Sequence, residues 1–139
     1  MGFLKTHVGI EAWLGSSSLE FRRLSQKEYA ILVRKWRSRF EQMLIAGQCH
    51  RGNSAQEALE NKLPCSVFVF SVPGYQLLPA STDARLDPAY AYEVDRLETL
   101  DFQVTNRADA IIVDQEFVFT CLCTHEAGGL ARPEFCELR

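Results

Sequence analysis

The stretch Ala110-Ile-Ile-Val-Asp-Gln-Glu-Phe-Val-Phe-Thr-Cys-Leu-Cys-Thr124 decides the fold class. Ala110–Asp114 is a short apolar run rich in β-branched residues, so it predicts a strand. Gln115-Glu116 predicts a tight turn, and Phe117–Thr124 predicts the returning strand. Together they form a C-terminal hairpin over about 110–124, although Asp-Gln-Glu lacks the Asn-Gly chemistry preferred in two-residue turns. On the second strand, side chains alternate between faces. Phe117, Phe119, Cys121, Cys123 and His125 then point one way, and Val118, Thr120, Leu122, Thr124 and Glu126 the other.

Working towards the N-terminus, Ser25-Gln-Lys-Glu28 has the form of a capping box, in which each of the two side chains takes the other residue's amide. The helix that follows, about 26–46, carries Tyr29, Leu32, Val33, Trp36, Phe40, Met43 and Leu44 on one stripe of a 3.6-residue period. Gly47 suits a left-handed stop. The opposite face carries Arg34, Lys35, Arg37 and Arg39. The aromatics sit on the core stripe and the sequence pI is near 5.6, so these cations are a solvated helix face and no nucleic-acid partner is expected.

Cys65-Ser-Val-Phe-Val-Phe-Ser71 is apolar on both faces and predicts an internal strand. Val8, Ile10, Ala12 and Leu14 alternate with Gly9, Glu11 and Trp13, which predicts another strand. Asn53 or Ser54 is placed to cap a short helix from Ala55 to Lys62. Residues 73–87 hold Pro73, Gly74 and Pro79 without a clear period and read as a long surface connection. Asp87-Pro88 reads as a helix start, with the helix running to about Leu97 or Leu100 and turning Tyr92, Val94 and Leu97 inward. The expected architecture is one α+β domain over residues 1–139. An antiparallel sheet of three to five strands carries the 26–46 helix on one face.

Composition sets the bounds. Apolar residues make up 47% and charged residues 24%, which suits a folded globular domain and argues against disorder. No apolar run approaches the roughly 20 residues that span a bilayer, so no membrane association is expected. Lys5, His7 and Glu11 interrupt the apolar core that a signal peptide would need. Five cysteines without such a signal predict reduced thiols in a cytoplasmic setting.

The net charge of −3 conceals an asymmetry. Residues 1–62 hold 10 Lys/Arg against 6 Asp/Glu, and residues 63–139 hold 5 against 12. Nine carboxylates (Asp83, Asp87, Glu93, Asp95, Glu98, Asp101, Asp109, Asp114 and Glu116) face only Arg85, Arg96 and Arg107. Gathered on one face, they would attract a basic protein partner.

Two kinds of chemistry can be drawn from the cysteines and histidines. Residues two apart on a strand lie about 6–7 Å apart, so Cys121, Cys123 and His125 form a possible metal-ligating face. Cys136, or Cys49-His50, would complete a tetrahedral site of the soft type zinc prefers. No Cys-x-x-Cys pair is present, and the same face is natural core on a strand that begins Phe117-x-Phe119, so buried thiols are the preferred reading. A Cys–His nucleophile needs an imidazole within reach and a third group to orient it, and neither Cys123–His125 nor Cys49-His50 supplies one. No phosphate loop, dinucleotide fingerprint, His-Glu-x-x-His or Gly-x-Ser-x-Gly motif occurs.

The order Lys35-Trp36 and Phe40 in an amphipathic helix, a mid-chain apolar strand, and Ile112-Val-Asp-x-x-Phe-x-Phe-Thr120 leading into Thr124-His125-Glu126 resembles a family of small bacterial domains of unknown function. Its members tend to have an aromatic-Thr segment followed by Thr-His-Glu and a Gly-Pro-aromatic tail, and some are immunity-type or toxin-neighbourhood proteins. The match covers about fifteen residues. Phe119 stands where Trp is usual, and Ala131-Arg132-Pro133-Glu134-Phe135 replaces the tighter tail. The resemblance implies a bacterial cytoplasmic protein with no established activity, and it marks Thr124, His125 and Glu126 as candidate binding residues. With the carboxylates Asp87, Glu93, Asp95, Glu98 and Asp101 they form the expected site of a non-enzymatic protein-binding module that needs no cofactor. The alternative is a small enzyme or zinc protein centred on Cys121, Cys123, His125 and Glu126.

Overall fold

The structure, a computed structural model, describes residues 11, 14–15, 19–71, 90–98, 110–123 and 133–138. In chain order the elements are β1 (Phe21–Arg23), α1 (Gln26–Ile45), β2 (His50–Arg51), α2 (Asn53–Glu60), β3 (Cys65–Phe70), β4 (Ala91–Leu97), β5 (Ala110–Asp114), β6 (Phe119–Cys123) and β7 (Glu134–Glu137). The fold is α+β. The described strands form one antiparallel sheet of seven in the order β1-β4-β3-β5-β6-β7-β2, so three to five was an undercount. Three of the additions are short: β1, β2 and β7 have three, two and four residues, too few to establish a two-residue period; the fourth is β4.

Both faces of the sheet are covered. Trp36, Phe40 and Leu44 of α1 pack with Phe70, Ile111, Val113, Leu122 and Cys136 on one face. Ala55 and Leu59 of α2, together with Leu14, pack with Val67, Val69, Ile112, Phe119, Cys121 and Cys123 on the other. Two-sided burial is why β3 lacks a polar face.

The ends of α1 follow the sequence signals closely. The Glu28 amide donates to Ser25 Oγ at 3.1 Å, and the Ser25 amide donates to Glu28 Oε1 at 2.9 Å. At the other end the Gln48 amide reaches Met43 O at 3.0 Å and the Gly47 amide reaches Leu44 O at 3.2 Å. This is a Schellman closure, and it requires the left-handed φ of 69° found at Gly47.

Three local expectations are corrected. Glu11 and Leu14 are helical rather than extended; Leu14 is fully buried against the α2 side of the sheet, so tertiary packing overrides the short alternation. The segment ending at Leu97 is strand β4, not helix. Opposite β3, Cys65 pairs with Leu97 and Val67 with Val94, so β4 holds one extra residue. That bulge returns Leu97 to the face of Tyr92 and Val94, and the resulting spacing imitates a helical stripe. The short helix begins at Asn53, with Gly52 rather than Asn53 or Ser54 as its N-cap and without a side-chain cap. Ser54 Oγ is instead engaged by His50 Nδ1 at 3.0 Å.

The C-terminal hairpin has the expected strands and alternation, with Ile112 opposite Cys121 and Val113 opposite Thr120. Its connection is longer than a tight two-residue turn. Asp114 Oδ1 accepts the amides of Val118 at 2.7 Å and Phe119 at 2.8 Å. Phe117 sits in the loop at φ 59°. This loop swings Phe117 onto the α1 face, beside Phe68 and beneath the Lys35 ammonium, away from the face of Phe119. The residues 73–87, Asp87-Pro88 and Asp101 lie outside the described residues.

Candidate functional site

The candidate residues of the sequence fall into three places. Cys121 and Cys123 share one face of β6, as alternation requires, and that face is core, with Phe119 and Phe135 stacked at 5.5 Å between ring centroids. A hydrogen bond with Cys123 and burial push the Cys121 thiol well above its ordinary range. Among the described residues no group of three His, Cys, Asp or Glu side chains is placed to hold a metal ion. Thr124, His125 and Glu126 lie outside the described residues.

Glu93, Asp95 and Glu98 lie on or just beyond β4, next to the edge strand β1. Their charge is partly compensated within the chain. Glu93 meets Arg22, which also holds Glu28, at 3.5 Å and 3.1 Å respectively. Glu98 meets Arg96 at 3.2 Å. Asp95 is exposed, and its backbone is engaged on both sides: its amide donates to Glu20 O and its carbonyl accepts from Ser66 Oγ. Of the other carboxylates in the acidic stretch, Asp114 is buried as the hairpin clasp and Glu116 is exposed. Among the described residues the acidic stretch thus supplies a structural clasp, Asp114, and a partly charge-paired sheet edge; Asp83, Asp87, Asp101 and Asp109 lie outside the described residues.

A third place, at the far edge of the sheet, was only glimpsed in the sequence. An open cleft of about 930 Å³ lies where α1 ends. Met43 lines it from the last turns of α1, Gly47, Gln48 and Cys49 from the α1–β2 connection and His50 from β2, and Phe135, Glu137 and Leu138 from β7 and the residue after it. β2 pairs with β7 through His50 opposite Phe135 and Arg51 opposite Glu134. One step further along that register, Cys49 stands opposite Cys136, and the two are joined by a disulfide with Cα atoms 4.7 Å apart. That spacing is typical of a directly opposed pair of the non-hydrogen-bonded kind in an antiparallel ladder. The expectation that all five cysteines are reduced is corrected for these two, whereas Cys65, Cys121 and Cys123 are free. The fold makes the bond by bringing the two ends of the sheet's outer edge together across a sequence separation of 87.

The cleft has an electrostatic character. The C-terminal end of α1 carries the negative pole of the helix dipole; no basic residue occupies its last turn, and the Arg51 guanidinium lies beside Gly47 just beyond it. Glu137 adds a carboxylate, partly offset by its ion pair with Lys62. Met43, Phe135 and Leu138 supply apolar walls. A concave site with apolar walls and a few polar groups is the usual form of a binding site. In the sequence, Gly47 marks where α1 ends, and Cys49-His50 and Cys136 enter only as metal-ligand candidates. Neither fixes a partner, because the facing residues are 87 positions away. No helix among the described residues is long and apolar enough to cross a membrane. No family model, curated protein or solved structure matches the chain.

Proposed function

We propose that this chain is a non-enzymatic protein-binding module of the bacterial cytoplasm, immunity-like in role, that receives a basic protein partner in the cleft at the end of α1. The observation that supports the reading is the cleft's position at the C-terminal end of α1, whose last turn holds no basic side chain, with Glu137 among its lining residues. A partner presenting an Arg or Lys flanked by apolar side chains meets both the negative pole and the walls formed by Met43, Phe135 and Leu138. The carboxylates at the β1–β4 edge act at longer range, raising the rate of encounter with the same basic partner rather than forming the contact.

The test is affinity capture with the full chain at low and high salt, using wild type, Glu137→Lys, and the pair Asp95→Lys/Glu98→Lys. The proposal expects a basic protein that is held by wild type, released by salt and lost with Glu137→Lys, with capture by the Asp95/Glu98 pair weakened only slightly. Loss confined to the Asp95/Glu98 pair would move the docking surface to the opposite sheet edge and overturn the cleft assignment.

A further inference from the structure

We infer that the Cys49–Cys136 disulfide is a thiol-exchange site, open to an incoming thiolate through the cleft and attacked at Cys49. Three observations carry this. The bond is in the wall of an open cleft rather than inside the core. Its two sulfurs differ in access: Cys49 is half-buried and lines the cleft, whereas Cys136 is 1% exposed and packed against the α1 face of the sheet. And the strand it fastens, β2, has only two ladder positions of its own, supplemented by the Gly52 amide on Pro133 O and the Arg51–Glu134 ion pair, so the edge can stay paired to β7 while the bond is open. Disulfides of proteins in reducing compartments are characteristically transient, and in the compartment proposed above this one would have to be made and broken in the folded protein. The inference does not depend on a protein docking in the cleft, because its chemistry needs only a small thiol.

The exchange balances as follows. An external thiolate attacks Cys49 Sγ, the bond from Cys49 to Cys136 breaks, and Cys136 leaves as a thiolate that takes a proton from solvent. Cys49 is then in a mixed disulfide. A second external thiolate attacks the external sulfur of that mixed disulfide and releases Cys49. Two external thiols have been oxidised to their disulfide, and the protein disulfide has been reduced to two thiols. The freed Cys49 thiol has an acceptor at hand, since Met43 O lies 3.8 Å from its sulfur. The negative pole of α1 and Glu137 favour a thiol that carries a positive charge.

The test equilibrates the native full chain at neutral pH with stepped ratios of cysteamine, a cationic thiol, to its disulfide cystamine. Samples are quenched in acid, and adducts are located by mass spectrometry while circular dichroism follows the fold. The expected result is a cysteamine adduct on Cys49, with Cys136 free, in protein that keeps its native spectrum. Cys121 and Cys123 should remain unmodified. In single variants treated with cystamine, Cys136→Ser should acquire its adduct at Cys49 roughly tenfold or more faster than Cys49→Ser acquires one at Cys136, since access limits the rate. Exchange that occurs only in urea, an adduct chiefly on Cys136, or two thiols that stay free even in excess cystamine would each overturn the inference. If either serine variant fails to fold, the wild-type titration alone decides.

Discussion

Trp36 and Thr120, 84 positions apart, meet in a buried hydrogen bond of 2.9 Å from the indole Nε1 to the threonine hydroxyl. That hydroxyl in turn donates to Ile112 O at 2.7 Å. The pair fixes the rotation of α1 over the sheet: it ties the middle of the helix to β6 and, through Ile112, to β5, while the Trp36 ring packs edge-on against Phe70 of β3. Non-directional burial holds the helix on the sheet, and this bond selects one azimuth for it.

Thr120→Val should therefore cost about 1–3 kcal/mol, because it withdraws a buried acceptor from the indole and a donor from Ile112. Thr120→Ser keeps both bonds and loses one methyl, a change of about 0.8 kcal/mol. Denaturant unfolding of the three proteins checks this; equal losses for Val and Ser would show that packing, not the hydrogen bond, matters at this position.

The hairpin loop depends on Asp114. Its carboxylate accepts two backbone amides while the chain passes through the left-handed conformation of Phe117. Asp114→Ala should destabilise by about 1.5–3 kcal/mol, the usual range for hydrogen bonds to a charged group. Asp114→Asn, which retains an acceptor oxygen, should lose less. The comparison is a pair of thermal or denaturant melts.

Acid stability should carry the signature of Glu28. Its hydrogen bonds with Arg22 and with the Ser25 amide lower the carboxyl from 4.5 to about 2. A carboxylate lowered on folding contributes stability that is complete above its unfolded value and is lost as pH falls through the folded one. The contribution of Glu28 should fade between about pH 4.5 and about pH 2, and Glu28→Gln should remove that part of the pH dependence. Parallel unfolding curves for wild type and Glu28→Gln across this window would contradict the assignment. The group is exposed, so high salt should reduce the difference.

Loss of the Cys49–Cys136 bond should destabilise the chain by up to about 4–5 kcal/mol in the chain-entropy account of a loop of this length. The double variant Cys49→Ser/Cys136→Ser tests this by denaturant unfolding. Its hydrogen exchange should rise first at His50 and Arg51, whose strand has no other ladder partner among the described residues.

Much of the fold was legible because local and tertiary signals agree. Ser25, Glu28 and Gly47 state where α1 begins and ends, and its apolar row states which face it buries. Alternation along Phe119–Cys123 placed Cys121 and Cys123 on the core face without any structure. Reading failed where tertiary geometry overrides the local pattern. The bulge between Val94 and Leu97 shifts the phase of β4 and disguises a strand as a helix. Asp114 reshapes its turn through a side-chain clasp that no turn-residue rule foresees, and this moved Phe117 to the other face. The cleft was the least legible part. Its two walls come from residues 43–50 and 135–138, and only the register of a two-residue strand brings Cys49 opposite Cys136.

The central claim, that a basic protein docks in the cleft at the end of α1, is tested most directly by hydrogen exchange on the full chain with and without its captured partner. The account predicts new protection at Gly47–His50 and at Glu137–Leu138, with the amides of Asp95–Leu97 unchanged. Protection confined to β4, or none at the cleft while the complex is demonstrably formed, would contradict it.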